Sequence, residues 1–331
     1  MFDYSKINLE KILLDAINLN ASDVHVSSGS VITIRANESL LSLYDTEQPI
    51  DNIVMKSLVD EILNYDQMQH LMNSKTVDTS FTILDSSYRV RVHCYMHLNG
   101  IGLNCRLVYN KPRSFEELNL PASIFKKWIS MTETNGGLII ISGLVNQGKT
   151  TTLSTIVNYI NSNFRERIVI LEDPIEYLHS NLKSDIIQKE IPTHCATYED
   201  GIKSVLREDV DTVAVGEIRT MESMDIAITL AEAGFRTIVT IHSRDAIETI
   251  ERIINMFPAE FKNKIQNRLY WTLVGVYHQK LSFSESKNKI IPFYEYLTCD
   301  DHRVKADIRK GEIGHIKSII SELPSQTYFK L

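Results

Sequence analysis

The chain has 331 residues, a hydrophobic content of 43% and a formal net charge of −7. Its length is sufficient for about two domains with separate cores, and its composition is typical of a soluble globular protein. The acidic balance makes nucleic acid a minor hypothesis, because binding a phosphate backbone requires many basic side chains. The sequence contains no apolar run of about 18 residues and no secretory leader, so we expect a cytoplasmic protein without a membrane span.

Cysteine spacing argues against two further classes of protein. The four cysteines are scattered and form no CxxC pair; they are Cys94, Cys105, Cys195 and Cys299. Structural zinc sites and disulfide frameworks require cysteines at close, regular spacing. We therefore expect reduced thiols and no zinc.

The first part of the chain, residues 1–109, has the pattern of a small α+β domain. Apolar residues have helical spacing over residues 7–19 and 53–72. Strand-like stretches are short; they lie at residues 21–26, 31–35, 77–84, 88–95 and 101–107, with a turn at Asn99-Gly100. These patterns predict a mixed sheet with two helices.

Residues 110–121 contain two prolines and several polar side chains, which is the composition of a linker or hinge. In residues 122–331, buried-strand candidates alternate with helical patterns. The strands lie at 138–141, 168–171, 212–215 and 237–241, and the helices at 149–161, 198–208, 222–233 and 245–256. This alternation predicts an α/β domain with a mainly parallel sheet, followed by a C-terminal helical region. Ligands bind such sheets at the carboxyl ends of the strands.

A glycine-rich loop, residues 143–148, follows the first of these strands and leads into Lys-Thr-Thr. Gly143 and Gly148 allow backbone N–H groups and the start of the next helix to face an anion. We expect Lys149 to reach the β- and γ-phosphates, Thr150 to bind Mg²⁺ and Thr151 to lie near the α-phosphate. The order of strand, loop and helix therefore predicts binding of a nucleoside triphosphate with Mg²⁺.

Carboxylates follow the next two predicted strands. Glu172 and Glu176 would orient water or outer ligands of Mg²⁺, and the alternative is a solvated acidic turn. Glu217 is the candidate general base and a second contact of Mg²⁺. Gly216 stands where many P-loop enzymes carry a metal-binding aspartate, so Mg²⁺ would depend on Thr150, phosphate oxygens and water.

The fourth predicted strand ends in His242. Its position after three strands that already supply site residues favours a sensor of the γ-phosphate. The alternative is an ordinary core or surface histidine.

Arginines that could contact a γ-phosphate lie outside the predicted second sheet. Arg89, Arg91 and Arg106 belong to strands of the first domain, where a solvated sheet face is the alternative. The second domain offers only Arg207 and Arg219. We therefore expect an arginine from another domain or subunit to complete the site, as in other phosphoryl-transfer enzymes.

Several stretches, in this order, resemble the secretion ATPase superfamily (GspE/PilT type), and most closely its PilT-like branch of type IV pilus retraction motors. They are Ala21–His25, Glu172–Glu176, Leu206–Asp209, Val215–Arg219 and Ala231–His242. The resemblance spans nearly the whole chain. It implies a homo-hexameric ATPase with a PAS-like first domain, a RecA-like second domain and nucleotide between them. It also implies that Arg91 and Arg106 close the site, with Arg89 fitting less well.

The glycine-rich loop departs from that family at two positions. Retraction motors have glycine and then serine where this chain has Asn146 and Gln147. We expect Asn146 and Gln147 to belong to the nucleotide-binding loop. Asparagine tolerates positive φ, whereas Gln147 adds bulk beside the phosphates and predicts slow turnover. The family's C-terminal Ala-Ile-Arg motif has a partial counterpart in residues 306–309.

These features predict a hexameric motor that uses ATP hydrolysis to retract a type IV pilus. By resemblance, its partners are further copies of the chain and a platform protein of the inner membrane, with pilin involved indirectly. The motor would lie at the cytoplasmic face of that membrane. The missing four-cysteine zinc module favours retraction over extension. Two alternatives stay open: a type IV secretion or conjugation traffic ATPase, and a slow nucleotide-gated assembly component.

Overall fold

Residues 8–36, 39–83, 88–109, 111–118, 120–284, 289–319 and 328–330 are described by a computed structural model of the chain. The chain divides into two units, Met1–Lys111 and Pro112–Leu331. Three residues at the ends of predicted segments, Ile7, Leu84 and Asn110, lie outside the described residues.

The first unit contains a six-stranded sheet. Its strands are β1 (Ala21–Ser27), β2 (Thr33–Ala36), β3 (Ser39–Ser42), β4 (Thr76–Thr82), β5 (Tyr88–His97) and β6 (Gly100–Tyr109). They are ordered β3-β2-β1-β6-β5-β4, and every neighbouring pair is antiparallel. The prediction of a mixed sheet was wrong for these strands. Most pairs join strands that are consecutive in the chain, and short connections return such strands antiparallel.

Three helices accompany this sheet among the described residues: α1 (Leu9–Asn18), α2 (Asn52–Asp60) and α3 (Tyr65–Ser74). The single helix predicted over residues 53–72 is therefore two helices. Asn64 and Gln67 form a capping box, in which each side chain accepts a hydrogen bond from the other residue's backbone N–H, at 2.9 and 3.0 Å. Such a box satisfies the free N–H groups of a new helix start, so α3 begins as a separate helix after α2 has ended at Asp60.

The second unit contains an eight-stranded sheet. Its strands are β7 (Gly137–Ser142), β8 (Arg167–Glu172), β9 (Asp185–Glu190), β10 (Thr212–Val215), β11 (Arg236–Ile241), β12 (Leu273–Ser284), β13 (Lys289–Thr298) and β14 (Tyr328–Lys330). Their order is β14-β13-β12-β7-β11-β10-β8-β9. The pairs from β12 to β9 are parallel, and β13 and β14 are added antiparallel. The sheet is thus mainly parallel, as predicted.

Helices cover both faces of this sheet. They are α4 (Ala122–Thr132), α5 (Lys149–Asn163), α6 (Tyr198–Val205), α7 (Met221–Glu232), α8 (Ala246–Asn255), α9 (Lys262–Thr272), α10 (His302–Lys310) and α11 (Ile313–Ile319). Successive side chains of a strand point to opposite faces, so Leu138 and Ile140 join one buried cluster and Ile139 and Ile141 another. No helix in the described ranges has the length and apolarity needed to cross a membrane.

Four strands of the second sheet, β7, β8, β10 and β11, lie where the apolar runs predicted them, whereas β9 and β12 to β14 were not predicted. Strand β9 is only partly buried at the edge of the sheet. Strand β12 contains the buried polar residues His278 and Gln279, and β13 contains Pro292. Such residues interrupt the apolar pattern that identifies a buried strand. The predicted C-terminal helical region therefore includes a long hairpin as well as helices α8 to α11.

Most of the segment predicted to be a linker belongs to the second unit, which begins at Pro112. Phe115 is 2% exposed, and its ring contacts those of Phe125, Trp128 and Tyr159 at centroid distances of 5.9, 6.4 and 5.5 Å. Burial of this aromatic ring holds the segment against α4 and α5. Leu118 and Leu120 are partly buried against the same cluster, and the polar, proline-containing composition of the segment concealed these apolar contacts.

Candidate functional site

Four neighbouring parallel strands of the second sheet end at the same edge. The order β7-β11-β10-β8 differs from the order in the chain, because β11 lies between β7 and β10. It places the glycine-rich loop next to His242, His242 next to Glu217, and Glu217 next to Glu172. The predicted residues of the second unit therefore meet at one place.

The glycine-rich loop has the backbone shape that its glycines predict. Gly148 has φ 77° and ψ 18° and immediately precedes Lys149, the first residue of α5. At Gly143, where φ is 156°, an added Cβ would lie 2.5 Å from the carbonyl oxygen of Gln279. Asn146 has φ 58°, a conformation that asparagine adopts more readily than most residues. The loop thus leads into a helix N-terminus whose N–H groups are suited to an anion.

Lys149 lies inside this loop. The residue is only 8% exposed. Nζ donates a hydrogen bond to the carbonyl oxygen of Leu144 at 2.8 Å and lies 3.0 Å from Nδ1 of His242. Burial lowers the pKa of Lys149, and the carboxylates of Glu217 and Glu176 partly oppose this change. An anion entering the loop could replace the Leu144 carbonyl as the partner of this amine.

His242 connects Lys149 to Glu217. Nε2 of the ring lies 2.8 Å from Oε1 of Glu217. Because Lys149 can donate to Nδ1, the neutral tautomer with its proton on Nε2 satisfies both contacts. Oε2 of Glu217 accepts a hydrogen bond from Arg219 at 2.7 Å. Burial acts to raise the pKa of Glu217, but the Arg219 hydrogen bond and the nearby positive charges outweigh it and leave that pKa below its ordinary value.

The backbone around Gly216 leaves little room for a side chain at the position where many P-loop enzymes carry an aspartate. Its N–H donates to the carbonyl oxygen of Leu171 on β8 at 2.7 Å. A Cβ at Gly216 would lie 3.1 Å from that oxygen and 3.3 Å from Cα of Glu172. The close approach of β8 and the end of β10 therefore accounts for glycine here and leaves Glu217 as the carboxylate of this strand end.

The two carboxylates at and after the end of β8 are in different environments. Glu172 is the last residue of β8 and is 5% exposed, which excludes a solvated turn as its environment. Glu176 is half-buried, and its negative charge acts on Lys149. Both carboxylates also help to raise the pKa of Tyr177, after burial as the main cause. They add negative charge on the β8 side of the site.

Tyr177 is a member of this site that the sequence did not reveal. Its hydroxyl lies 2.7 Å from Oγ1 of Thr151, in the first turn of α5. Thr150, also in that turn, is half-buried. The only signal in the sequence was the position of Tyr177 directly after Glu176. A tyrosine after an acidic turn has no chemical requirement that would single it out.

Gln147 does not extend into the space expected for phosphates. Its Oε1 accepts a hydrogen bond from the N–H of Leu281 on β12 at 2.5 Å. The side chain is therefore directed toward the neighbouring strand β12. The expectation that Gln147 adds bulk beside the phosphates was wrong for this conformation of the loop.

The candidate arginines Arg89, Arg91 and Arg106 lie in the first unit, whereas Arg219 and the other residues described above lie in the second. Arg91 on β5 is directly opposite Arg106 on β6. Nε of Arg106 donates to Oδ1 of Asp23 at 3.0 Å, and Asp23 is 8% exposed. Arg89 donates to Oγ of Ser80 at 2.6 Å. The three arginines share one face of the first sheet.

The side chains at the strand ends fit a metal ion that arrives with a nucleotide rather than one bound by the protein alone. Within the described ranges, no group of three or more His, Cys, Asp or Glu side chains could hold a metal. Mg²⁺ usually keeps water and phosphate oxygens as ligands and needs only one or two protein groups. Thr150 and Glu217 are suited to that limited role.

The way these groups face one another defines the class of protein. Backbone N–H groups and Lys149 are arranged to bind a polyphosphate. The imidazole of His242 connects that lysine to the carboxylate of Glu217. The chain is a P-loop ATPase. It belongs to the family of type II/IV secretion system proteins, whose model matches residues 4–307.

Similarity to known proteins extends over most of the chain. It is 30% identical over 314 residues to the uncharacterized protein YggR of Escherichia coli K12, which covers 95% of this chain and 93% of that protein. It is 30% identical over 275 residues to the type IV pilus retraction ATPase PilT of Pseudomonas aeruginosa, covering 83% and 78%. A crystal structure of the pilus retraction motor PilT with bound ADP matches with a TM-score of 0.88 at 27% identity, covering 97% and 92%.

Proposed function

We propose that this chain is a motor of type IV pilus retraction, a homo-hexamer that hydrolyses ATP to withdraw a pilus. The hydrogen-bonded connection from Lys149 through His242 to Glu217 carries the proposal. It joins the amine that would bind phosphate to the carboxylate that would act on water. Similarity to a retraction ATPase over most of both chains supports the assignment to retraction.

In this proposal the two domains have the folds that the resemblance implies. Residues 1–109 are PAS-like and residues 122–331 are RecA-like, with 110–121 between them. The antiparallel sheet with helices in the first unit supports the first assignment. A mainly parallel sheet with the glycine-rich loop after its β7 strand supports the second.

Nucleotide binding begins at the glycine-rich loop. Backbone N–H groups of the loop, including those of Asn146, Gln147 and Gly148, receive the phosphates. Lys149 gives up its hydrogen bond with Leu144 and donates to the phosphates instead. Mg²⁺, when bound, neutralises phosphate charge, and Thr150 and Glu217 are the residues that would hold it. Thr151, positioned by Tyr177, lies beside them in the same helical turn.

Hydrolysis depends on the carboxylates at the strand ends. The lowered pKa of Glu217 keeps it ionised at neutral pH, so it can accept a hydrogen bond from water and polarise it for attack. Glu172 and Glu176 help to orient that water. His242 loses Lys149 as a partner when the amine turns to phosphate, while its Nε2 still donates to Glu217. The ring can therefore report the presence of phosphate to the carboxylate.

Arg91 and Arg106 supply the missing positive charge in this proposal. Arg91 and Arg106 lie directly opposite each other on β5 and β6, and the Arg106 side chain is 65% exposed, so an anion can approach it. We propose that this anion is the nucleotide of a neighbouring subunit, because an arginine that contacts a γ-phosphate typically accelerates phosphoryl transfer by about 10³–10⁵.

A type IV secretion or conjugation traffic ATPase is the second candidate, because the family includes secretion system proteins. The slow assembly component is favoured by one observation. Lys149 is bonded to Leu144, and Glu217 to Arg219, so these resting contacts must be broken or rearranged before turnover. For retraction, the partner is a platform protein of the inner membrane, and the motor lies at the cytoplasmic face of that membrane.

One experiment separates the candidates. The purified full chain is assayed for hexamer formation and ATP hydrolysis, and the gene is replaced by Glu217→Gln in its own host. A retraction motor hydrolyses ATP, and the variant cells carry extended pili that no longer retract. Tight ATP binding without turnover by the wild-type hexamer would support the assembly component. Normal pili with lost secretion or DNA transfer would support the traffic ATPase.

A further inference from the structure

Strand β12 extends past the end of β7 and runs alongside the glycine-rich loop. The last pair between these strands joins His278 with Ser142, and β12 continues to Ser284. On the side where β12 pairs with β7, residues 279–281 therefore face the glycine-rich loop, while their other side still pairs with β13. The backbone of β12 at Gln279 is so close that a Cβ at Gly143 would lie 2.5 Å from its carbonyl oxygen.

Side chains replace the missing strand partner at this point. The N–H of Leu281 donates to Oε1 of Gln147 at 2.5 Å. Nε2 of Gln279 donates to the backbone carbonyl of Gln147, and Oε1 of Gln279 accepts from the Thr152 hydroxyl at 2.5 Å. We call Gln147, Thr152 and Gln279 the β12 clamp. It joins the strand to both the loop and the first turns of α5.

Burial makes this arrangement restrictive. Gln279 is 3% exposed and Thr152 is 2% exposed. Polar groups at such positions are costly to leave unpaired, so the hydrogen bonds select one loop conformation over others. A Cβ at Gly148 would also lie 3.0 Å from Nε2 of Gln279, so the same side chain contacts the turn before Lys149.

The length of Gln147 is required for its part in the clamp. Its carboxamide oxygen accepts a hydrogen bond from the N–H of Leu281, which lies beyond the last residue of β12 that pairs with β7. A small side chain at position 147 could not reach across to β12. The residue that seemed a disadvantage in the sequence thus has a physical use.

We propose that Gln147 and Gln279 are positioning residues that hold the glycine-rich loop from β12 in the shape that receives the phosphates of a nucleotide. This inference rests on the proposed nucleotide binding at that loop. A loop already held in its binding conformation loses less conformational entropy when the ligand arrives. The clamp therefore strengthens nucleotide binding without contact between the Gln279 side chain and the ligand.

The test uses the full chain and the variants Gln279→Met and Gln147→Met, which keep side-chain length and remove the hydrogen bonds. Fluorescent ADP is titrated against each, and thermal unfolding is recorded. Affinity is expected to fall about tenfold in each variant, and by less than the product of the two effects in the double variant, because both act on one loop conformation. Hydrogen exchange of loop amides without nucleotide is expected to accelerate.

Controls separate this role from general destabilisation. Gln266→Met removes another glutamine of low exposure, 8%, on helix α9, and should keep the wild-type affinity even if it lowers the melting temperature. Thr152→Ser keeps the hydroxyl that Gln279 needs and should bind more tightly than Thr152→Val, which has nearly the same volume as threonine but no hydroxyl.

Two outcomes have different meanings. Nucleotide binding by the wild type together with unchanged affinity in both methionine variants would overturn the clamp and leave the proposed function intact. Failure of the wild type to bind nucleotide would overturn the proposed function itself, and the role of the clamp with it.

Discussion

Nε2 of His242 lies 2.8 Å from Oε1 of Glu217, while Nδ1 of the same ring lies 3.0 Å from Nζ of Lys149. One imidazole therefore contacts both the amine that would bind phosphate and the carboxylate that would act on water. The three residues come from the ends of β11 and β10 and the start of α5. Changes at each of them should affect different steps.

Glu217→Gln should remove turnover and retain nucleotide binding. The amide keeps the size of the side chain but cannot accept a proton from water, and loss of a general base typically reduces the rate by about 10²–10⁴. Steady-state phosphate release and ADP titration measure the two properties. Glu222→Gln, in the first turn of α7, is the matched control. Wild-type phosphate release in Glu217→Gln would remove Glu217 from the role of base.

Lys149→Ala should lose both nucleotide binding and turnover without a loss of stability. Burial lowers the pKa of Lys149, so the folded protein disfavours its charged form and gains little from it. The melting temperature without nucleotide should be unchanged or higher, and the stabilisation that ADP gives the wild type should disappear. A variant that ADP still stabilises to the wild-type extent would contradict the proposed contact with phosphate.

Arg106→Ala should impair hydrolysis across subunits. If the arginine acts on the nucleotide of a neighbour, hexamers mixed from variant and wild-type subunits lose activity more steeply than the wild-type fraction falls. The rate is measured over a series of mixing ratios. Arg35→Ala provides a comparison, because Arg35 lies opposite Asp23 on β2, on the other side from Arg106. Linear loss with dilution by Arg106→Ala would argue against action between subunits.

Gly216→Ala should destabilise the second unit and lower turnover. The added Cβ would lie 3.1 Å from the Leu171 carbonyl oxygen, so β8 and the end of β10 must move apart, at a cost of about 1–3 kcal/mol. Gly314→Ala on α11 has no atom within 4 Å of its added Cβ and serves as the control. Urea unfolding gives the difference in free energy. Equal stability of the two variants would show that the strand ends are not tightly packed.

Glu199→Gln should lower stability at neutral pH but not in acid. Hydrogen bonds from the hydroxyls of Ser223 and Thr220 lower the pKa of Glu199 to about 2. A carboxylate with a folded-state pKa below its unfolded value stabilises above the unfolded value, about 4.5, and this contribution disappears as the pH falls toward the folded value. Hydrogen bonds to the charged group predict a difference of about 1 kcal/mol near pH 7. A difference that persists near pH 3 at full size would contradict this origin.

Local patterns in the sequence were sufficient for the glycine-rich loop and for its strand and helix. Gly143, Gly148 and Lys149 have a spacing that phosphate binding requires, and apolar runs of strand length identify β7, β8, β10 and β11. They also placed Glu172, Glu217 and His242 at strand ends. Such patterns work because glycine conformation, strand burial and helix starts depend on residues close together in the chain.

Only the tertiary structure decided which of these residues meet. The position of β11 between β7 and β10 brings His242 to both Lys149 and Glu217, and the overhang of β12 turns Gln147 away from the phosphate side. Sheet order and register depend on burial and hydrogen bonding summed over distant segments, and no local pattern encodes them. By itself, the sequence determined the chemistry available to the protein, and the long-range packing of its strands determined which atoms could act together.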